Sequence, residues 1–258
     1  MNKMEFDIIT PTKFSLLIEE MVQTKNISYM DACLEYCKEK GETYNLSDVK
    51  ILAPNASPPK NLCLALNYGS HLLGANAPKK PEPFYKTVTA ICGPGDPIKI
   101  PKDAGLVACE SELVVIIGKE AKNVSENSAL DYVFGYTCGN DVSAREWQSG
   151  NNSDMQWWRA KSCDTFGPTG PFIVTDIDPQ DVSIRGLVNG VEGQKCHSSE
   201  MIFSVSESIS FISKYTTLVP GDMLWTGTSG MTPPITVSYT HLRAHETRHD
   251  LVCRLLLE

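Results

Sequence analysis

Nowhere in its 258 residues does the chain contain a run of about 18 apolar residues, which excludes a conventional membrane-spanning helix. Its nine cysteines include no Cys-x-x-Cys pair, and their number is odd. In a chain this long they are expected as small buried apolar residues rather than as a disulfide framework. Positive charge is scarce: 23 Lys and Arg stand against 31 Asp and Glu, a net charge of −8. Nucleic-acid-binding domains are usually basic, so neither nucleic acid nor membrane is expected as a partner. The opening MNKMEFDIIT lacks the apolar stretch of a signal peptide, and a cytoplasmic location is expected. What is present, 41% hydrophobic residues, suffices for a packed core in one or two domains.

Charge divides the chain into three parts. Residues 1–44 hold five Lys, eight Asp or Glu and no Arg; residues 45–236 have net charge −5; residues 237–258 are neutral. The last 22 residues concentrate three of the six arginines and three of the five histidines. The expected domains follow these boundaries: a helical segment over 1–44, a catalytic domain over 45–236 and an unrelated tail over 237–258.

The first part reads as a helical hairpin. Thr10 is placed to cap a helix with Pro11 in its first turn, and Leu16, Leu17 and Met21 share a face. Ser28 is placed to cap a second helix, with Met30, Cys33 and Cys37 at helical spacing and Gly41 at its end. The run SLLIEEMVQTKNISYMDACLEYCKEKG resembles the small late-transcription coactivators of T4-like phages. That resemblance implies a transcription accessory role confined to residues 1–44 and carries no catalytic motif.

The middle part reads as strands with short helices. LCLALNY (62–68), ELVVIIGK (112–119), PFIVTD (171–176) and IRGLVNG (184–190) read as strands, the last ending in an Asn-Gly hairpin signal. ALDYVFGYTCGNDVS (129–143) starts as a short helix and ends as a strand, and SVSESISFISKY (204–215) has helical spacing.

Chemistry concentrates at Glu110-Ser111-Glu112. Residues two apart on a strand face the same side, so both glutamates point together while Leu113, Val115 and Ile117 point away. Paired carboxylates at a buried strand end repel unless protonated or bound to a cation such as Mg²⁺ or Mn²⁺. The pattern alone also fits a solvated edge. Asp141, closing TCGNDVSAR, supplies a third carboxylate for an open octahedral site, or it simply forms a turn with Asn140.

The pieces LALNYGSH (64–71), KPEPFYK (80–86), GPGDPI (93–98), ESELVVIIGKEAKNVSENSALDYVFGYTCGNDVSARE (110–146), QWWRAKSCDTFGPTGPFIVT (156–175) and SSEMIFSVSESISFISKYTTLVPGDMLWTGTSG (198–230) occur in order. Together they resemble the fumarylacetoacetate hydrolase family over about residues 46–234. The resemblance implies an α+β chain built on a mixed β-roll, assembled as a homodimer and holding a divalent metal. It implies Glu110, Glu112 and Asp141 as metal ligands, and Lys161 as the lysine that meets the substrate's carboxylate or oxyanion. It implies His71 as the histidine of a mobile lid that positions or activates water, with Arg145, Gln148 and Thr228 lining the substrate pocket.

The implied activity is hydrolysis of a C–C bond in an acylpyruvate or other β-diketo acid. The metal would polarise the carbonyl and Lys161 would add positive charge, while His71 serves as base. A small anionic keto acid is favoured as substrate, because Arg145 and Lys161 pair with carboxylates. Trp147, Trp157 and Trp158 are expected in the core or at a dimer contact rather than in the pocket.

Two departures from the family pattern stand out. Many hydrolytic members carry a glutamate three residues after the histidine, where this chain has Gly74. An isomerase, decarboxylase or lyase on the same metal platform is therefore kept as an alternative. After TGTSG the closing strands of the family are not recognisable, and VSYTHLRAHET resembles a translated sequencing adapter. The catalytic domain is thus expected to be truncated and to fold poorly within a chimeric chain. His241, His245 and His249 would share a face if the tail were helical; no zinc site is assigned to them.

Overall fold

A computed structural model of the chain describes residues 11–25, 27, 32, 35–36, 50–72, 74–235, 240–247 and 250–257. The chain divides into two compact units, Met1–Lys50 and Ile51–Glu258.

In the first unit, α1 (Pro11–Lys25) forms where Pro11 presets a helical φ in the first turn. Ile18 is buried, and Lys25 pairs with Glu35 at 3.0 Å. Ala32, Glu35 and Tyr36 are helical. Thr10, Ser28, Met30, Cys33, Cys37 and Gly41, on which the hairpin reading leaned, lie outside the described residues.

The second unit is mixed α+β. Its strands are β1 (Asn61–Leu64), β2 (Pro83–Tyr85), β3 (Ile91–Cys92), β4 (Val107–Ala108), β5 (Ser111–Ile117), β6 (Val133–Asn140) and β7 (Ser143–Ala144). The short helix α2 (Trp158–Ser162) follows, then β8 (Gly167–Pro168), β9 (Ser183–Val188), β10 (Val191–His197) and helix α3 (Val205–Tyr215). The remaining strands are β11 (Met223–Trp225), β12 (Pro234–Ile235), β13 (Thr240–Thr247) and β14 (Asp250–Leu257).

The central sheet runs β2-β1-β11-β5-β6, with β1 and β11 parallel and the other pairs antiparallel. A second sheet runs β10-β9-β14-β13, a third β12-β4-β7, and β3 pairs with β8.

β5 is apolar on both faces because both faces are covered. Leu113, Val115 and Ile117 pack with Leu62, Leu64, Ile209 and Ile212, whereas Val114 and Ile116 pack with Cys63, Met223 and Trp225. Each such side chain stabilises the fold by about 1.5–3 kcal/mol when fully buried. α3 starts with a capping box: Glu207 N–H donates to Ser204 Oγ at 3.1 Å, and Ser204 N–H donates to Glu207 Oε2 at 2.7 Å.

Two strand expectations change, and the tail, for which only a helix was considered, forms strands. LCLALNY is a strand only to Leu64, because Leu66 turns the chain at φ 53° and Asn67 leaves the ladder. The buried Asn67 amide donates to Phe203 O and Thr226 O at 3.0 and 2.8 Å. PFIVTD contributes one isolated bridge, Tyr136 to Val174, and enters it through a cis Gly170–Pro171 bond. The tail is strand rather than helix: β13 and β14 form an antiparallel pair, and β14 lies parallel to β9. His249 lies outside the described residues.

Candidate active site

The register of β5 on β6 sets Ser111 opposite Asn140 and Glu112 opposite Gly139. Glu110, just before β5, and Asp141, just after β6, therefore meet at one end of the sheet. Asp141 N–H donates to Glu110 O at 2.8 Å, and Glu110 N–H donates to the Asn140 side chain at 2.9 Å.

Gly139 is required by close approach: a Cβ there would lie 2.4 Å from Trp225 Cζ3 and 2.6 Å from Val114 Cγ2. Gly227, at φ +90°, turns its N–H onto Glu112 Oε2 at 2.8 Å; a side chain is strained in that backbone region.

Glu110, Glu112 and Asp141 are buried, at 4%, 2% and 1% exposure, which removes the solvated-edge alternative. One ligand atom from each lies within 4.8 Å of the others.

Cations are distributed unevenly among them. Glu110 contacts Lys161 Nζ at 2.6 Å and Arg145 Nη1 at 2.7 Å, with His71 Nε2 at 3.8 Å. Asp141 contacts Lys161 Nζ and Lys86 Nζ, both at 2.7 Å. Glu112 contacts no cationic side chain among the described residues and accepts the Gly227 N–H.

Ionisation follows this asymmetry. Burial pushes Glu110 upward, but Lys161 and Arg145 outweigh it and bring it down to about 2. Burial, then Asp141 and Glu110, push Glu112 well above the usual carboxylate range. Burial disfavours the Lys161 ammonium, yet Asp141 and Glu110 more than restore it, so Lys161 stays charged.

These oxygens fit a hard divalent cation. Glu112 is a buried carboxylate held between like charges with no cationic side chain in contact with it among the described residues. Asp141 Oδ1 has an ammonium nearby, as an ion contact rather than an aligned hydrogen bond, and is otherwise an unbonded buried oxygen. Glu110, Glu112 and Asp141 are the residues that would hold the ion.

His71 ends a short 3-10 turn, Gly69–His71. Its Nδ1 lies 2.7 Å from the Gly230 carbonyl, which only accepts, so Nδ1 carries the proton. In neutral His71 the lone pair is then on Nε2, the nitrogen that faces Glu110. The turn is tethered a second time where Gly230 N–H donates to Ser70 Oγ at 3.0 Å. The His71 and Arg145 side chains are partly open to solvent, at 14% and 24% exposed, whereas the three carboxylates and Lys161 are closed off from it.

Six of the eight residues named from sequence meet directly: Glu110, Glu112, Asp141, Lys161, Arg145 and His71. Gln148 joins through Arg145, whose Nη1 donates to its Oε1 at 2.7 Å, while Arg145 Nη2 donates to Thr232 Oγ1 at 2.5 Å. Thr228 donates its hydroxyl proton to Ser111 O at 3.2 Å and accepts from Gln194 Nε2 at 2.8 Å. Its side chain thus braces β5 between the two glutamates.

Sequence reading missed Lys86 and Gln194. Gln194, buried in β10, also accepts the Ser111 N–H at 3.0 Å and donates to Ser229 O at 3.0 Å. Trp147 is in the core as expected. Trp157 is half-buried and Trp158 exposed; with Phe84, Tyr85 and Met155 they line a groove of about 720 Å³ that none of the three carboxylates borders.

Residues 60–249 match the family model described as fumarylacetoacetate (FAA) hydrolase, C-terminal. The chain belongs to the fumarylacetoacetate hydrolase family. Separately, residues 7–47 match the phage late-transcription coactivator model.

Among curated relatives, the mitochondrial oxaloacetate tautomerase fahd2 of Xenopus laevis is 44% identical over 187 residues, 70% of this chain and 58% of the frog protein. The chain thus spans under two thirds of that relative's length. Among solved structures, 5-carboxymethyl-2-hydroxymuconate delta-isomerase from Mycobacterium smegmatis superposes with a TM-score of 0.73 at 39% identity, covering 84% of this chain and 85% of that one. Fumarylacetoacetate hydrolase from Exiguobacterium antarcticum superposes with a TM-score of 0.68 at 33% identity, covering 80% and 77%. Members of this fumarylacetoacetate hydrolase family act on small keto acids. No described helix is long and apolar enough to cross a membrane.

Proposed function

We propose that this chain catalyses a metal-dependent proton transfer, a keto–enol tautomerisation or allied isomerisation, on a small anionic 2-oxo acid. The observation that carries this reading is His71, whose Nδ1 is committed to Gly230 and whose Nε2 faces the carboxylate–lysine cluster. Bound at Glu110, Glu112 and Asp141, Mg²⁺ or Mn²⁺ would act as a Lewis acid on the substrate's oxygens.

Arg145, at the open side of the site, pairs with the substrate's carboxylate. His71 Nε2 removes a proton from the carbon next to the ketone; the electron pair of that C–H bond becomes the C=C bond, and the π pair of the C=O bond moves onto the carbonyl oxygen. Lys161, kept charged by Glu110 and Asp141, offsets the negative charge that develops there. Return of the proton from His71 Nε2 to that oxygen gives the enol and restores the base, and the reverse sequence gives the ketone. The names of the frog tautomerase and the mycobacterial isomerase support this class.

The test is to add the Mn²⁺-loaded chain to the enol form of oxaloacetate and follow enol absorbance. Acceleration that depends on metal and is lost in Glu112→Gln supports the reading; enol decay at the buffer rate overturns it.

Hydrolysis of an acylpyruvate C–C bond is a second reading, supported by the name of the Exiguobacterium structure. It uses the same stabilisation of negative charge, with His71 activating water instead, and is distinguished by release of pyruvate. The homodimer belongs to both readings and is checked by light scattering. The match over residues 7–47 supports a separate role for the first unit as a transcription accessory. Capture of a phage-type polymerase or sliding clamp by the full chain tests that role.

A further inference from the structure

Lys86 ends the KPEPFYK segment, where a lysine would ordinarily project into water, and its side chain is fully buried. Its N–H donates to Asn61 O at 3.0 Å, which fixes its backbone to β1. Its ammonium lies 2.7 Å from Asp141 Oδ1 and donates to the carbonyls of Lys161 and of Phe166, the latter at 3.1 Å.

Each of these contacts leads to the site. The Phe166 carbonyl also accepts the N–H of Val142 at 3.1 Å, so it fixes the backbone next to Asp141. Lys161 Nζ reaches Asp141 Oδ2 at 2.7 Å, so two ammonium groups hold the carboxylate by opposite oxygens. The neighbouring Thr87 fastens the end of α2: its N–H donates to Ser162 Oγ at 3.2 Å, and its hydroxyl donates to Ser162 O at 2.9 Å. A buried ammonium is costly unless fully partnered, and this one is partnered by one metal-ligand candidate and by the helix that carries Lys161.

We infer that Lys86 is a positioning residue: it orients Asp141 and Lys161, and its charge limits how tightly the carboxylate cluster holds a divalent cation. This inference rests on the reading of Glu110, Glu112 and Asp141 as the cation's ligands. The two roles have opposite signs in one variant. Without the ammonium, the cluster gains net negative charge and holds a cation more tightly. Asp141 and Lys161 also lose their bracing, and a displacement of about 1 Å at reacting groups costs about 10²-fold in rate. A lysine that served packing alone would weaken metal binding and turnover together.

The experiment titrates Mn²⁺ into the metal-free full chain by calorimetry, and measures kcat and KM for enol oxaloacetate, for wild type, Lys86→Met and Lys86→Gln. Glutamine is uncharged yet keeps donors for the two carbonyls, so it reports the charge even where methionine impairs folding. The expected result is Mn²⁺ bound about tenfold more tightly, kcat reduced about 10²-fold and KM changed less. Unchanged or weaker Mn²⁺ affinity in the variants, or undiminished kcat, overturns the inference. Glu112→Gln in the same titration separates the two claims. If it binds Mn²⁺ as wild type does, or if wild type binds none, the ligand reading fails and Lys86 with it. If wild type binds and Glu112→Gln does not, only the Lys86 claim is at risk.

Discussion

Glu112→Gln should stabilise the metal-free protein while abolishing its response to metal. Glu112 lies within 4.8 Å of ligand oxygens on Glu110 and Asp141. A unit charge at that distance repels another by about 3.5 kcal/mol at an effective dielectric of 20. Lys161 and proton uptake relieve part of this, which leaves about 1–3 kcal/mol of destabilisation that an amide of the same shape avoids. The Gly227 N–H can donate to the amide oxygen as it does to the carboxylate.

For a domain of this size the gain corresponds to about 2–12 °C in Tm, read by circular dichroism at pH 7.5 in EDTA. The dependence on pH has a fixed sign. A carboxylate whose folded pKa is raised binds a proton on folding, so wild type loses stability as pH rises from the unfolded carboxylate value through the raised folded one. The advantage of Glu112→Gln should therefore shrink below about pH 4.3, where the unfolded carboxylate is also protonated. Added Mn²⁺ should raise the Tm of wild type alone, because only a site with three carboxylates gains binding energy in the folded state. A variant that melts lower than wild type in EDTA, or that keeps the Mn²⁺-induced shift, refutes the account of Glu112.

His71→Asn should lower kcat about 10²–10⁴-fold and leave Mn²⁺ affinity within about twofold, since His71 faces the cluster without being one of its three carboxylates; calorimetry and initial rates check both. Gly139→Ala should cost about 1–3 kcal/mol in urea unfolding, because the new methyl meets Trp225 and Val114 well inside contact distance; a neutral result would mean that β6 shifts freely at this position.

The acidic triad is legible in part from strand alternation and in part from the family resemblance, and one strand register in the fold explains why the two agree. Strand alternation puts Glu110 and Glu112 on one side, and the pairing of Ser111 with Asn140 brings Asp141 to them. The α3 helix is legible from its capping residues, Ser204 and Glu207, together with its apolar spacing. PFIVTD misleads because its apolar residues form no ladder: Ile173 packs against the core, Phe172 is exposed, and Val174 makes a single bridge. Lys86 and Gln194 are illegible for a different reason. Their partners lie 55 and 83 positions away, at Asp141 and Ser111, so only the tertiary fold shows that a lysine and a glutamine are buried polar braces. Thr228, expected as pocket lining, also donates its hydroxyl proton to the Ser111 carbonyl, a contact that only the tertiary fold reveals.

On the proposed mechanism, tautomerisation and C–C hydrolysis would diverge at residue 74. Both stabilise negative charge on a keto-acid oxygen, but hydrolysis also requires a water oriented and deprotonated at the carbonyl carbon. The family resemblance assigns that task to the histidine together with a glutamate at the position of Gly74. Gly74 has φ +93°, and a Cβ built there meets nothing within 4 Å. A Cβ is thus accommodated in space, at a backbone cost of about 1–2 kcal/mol. Gly74→Glu should therefore fold with a slightly lower Tm and should raise pyruvate release from an acylpyruvate relative to enol–keto conversion in the same preparation. A changed ratio with unchanged Mn²⁺ affinity would place the choice of reaction in the second base rather than in the metal platform. If the ratio stays fixed while the variant folds and binds Mn²⁺, the base pair is not what separates the two activities, and the difference must be sought among the groups proposed to meet the substrate, Arg145 and Lys161.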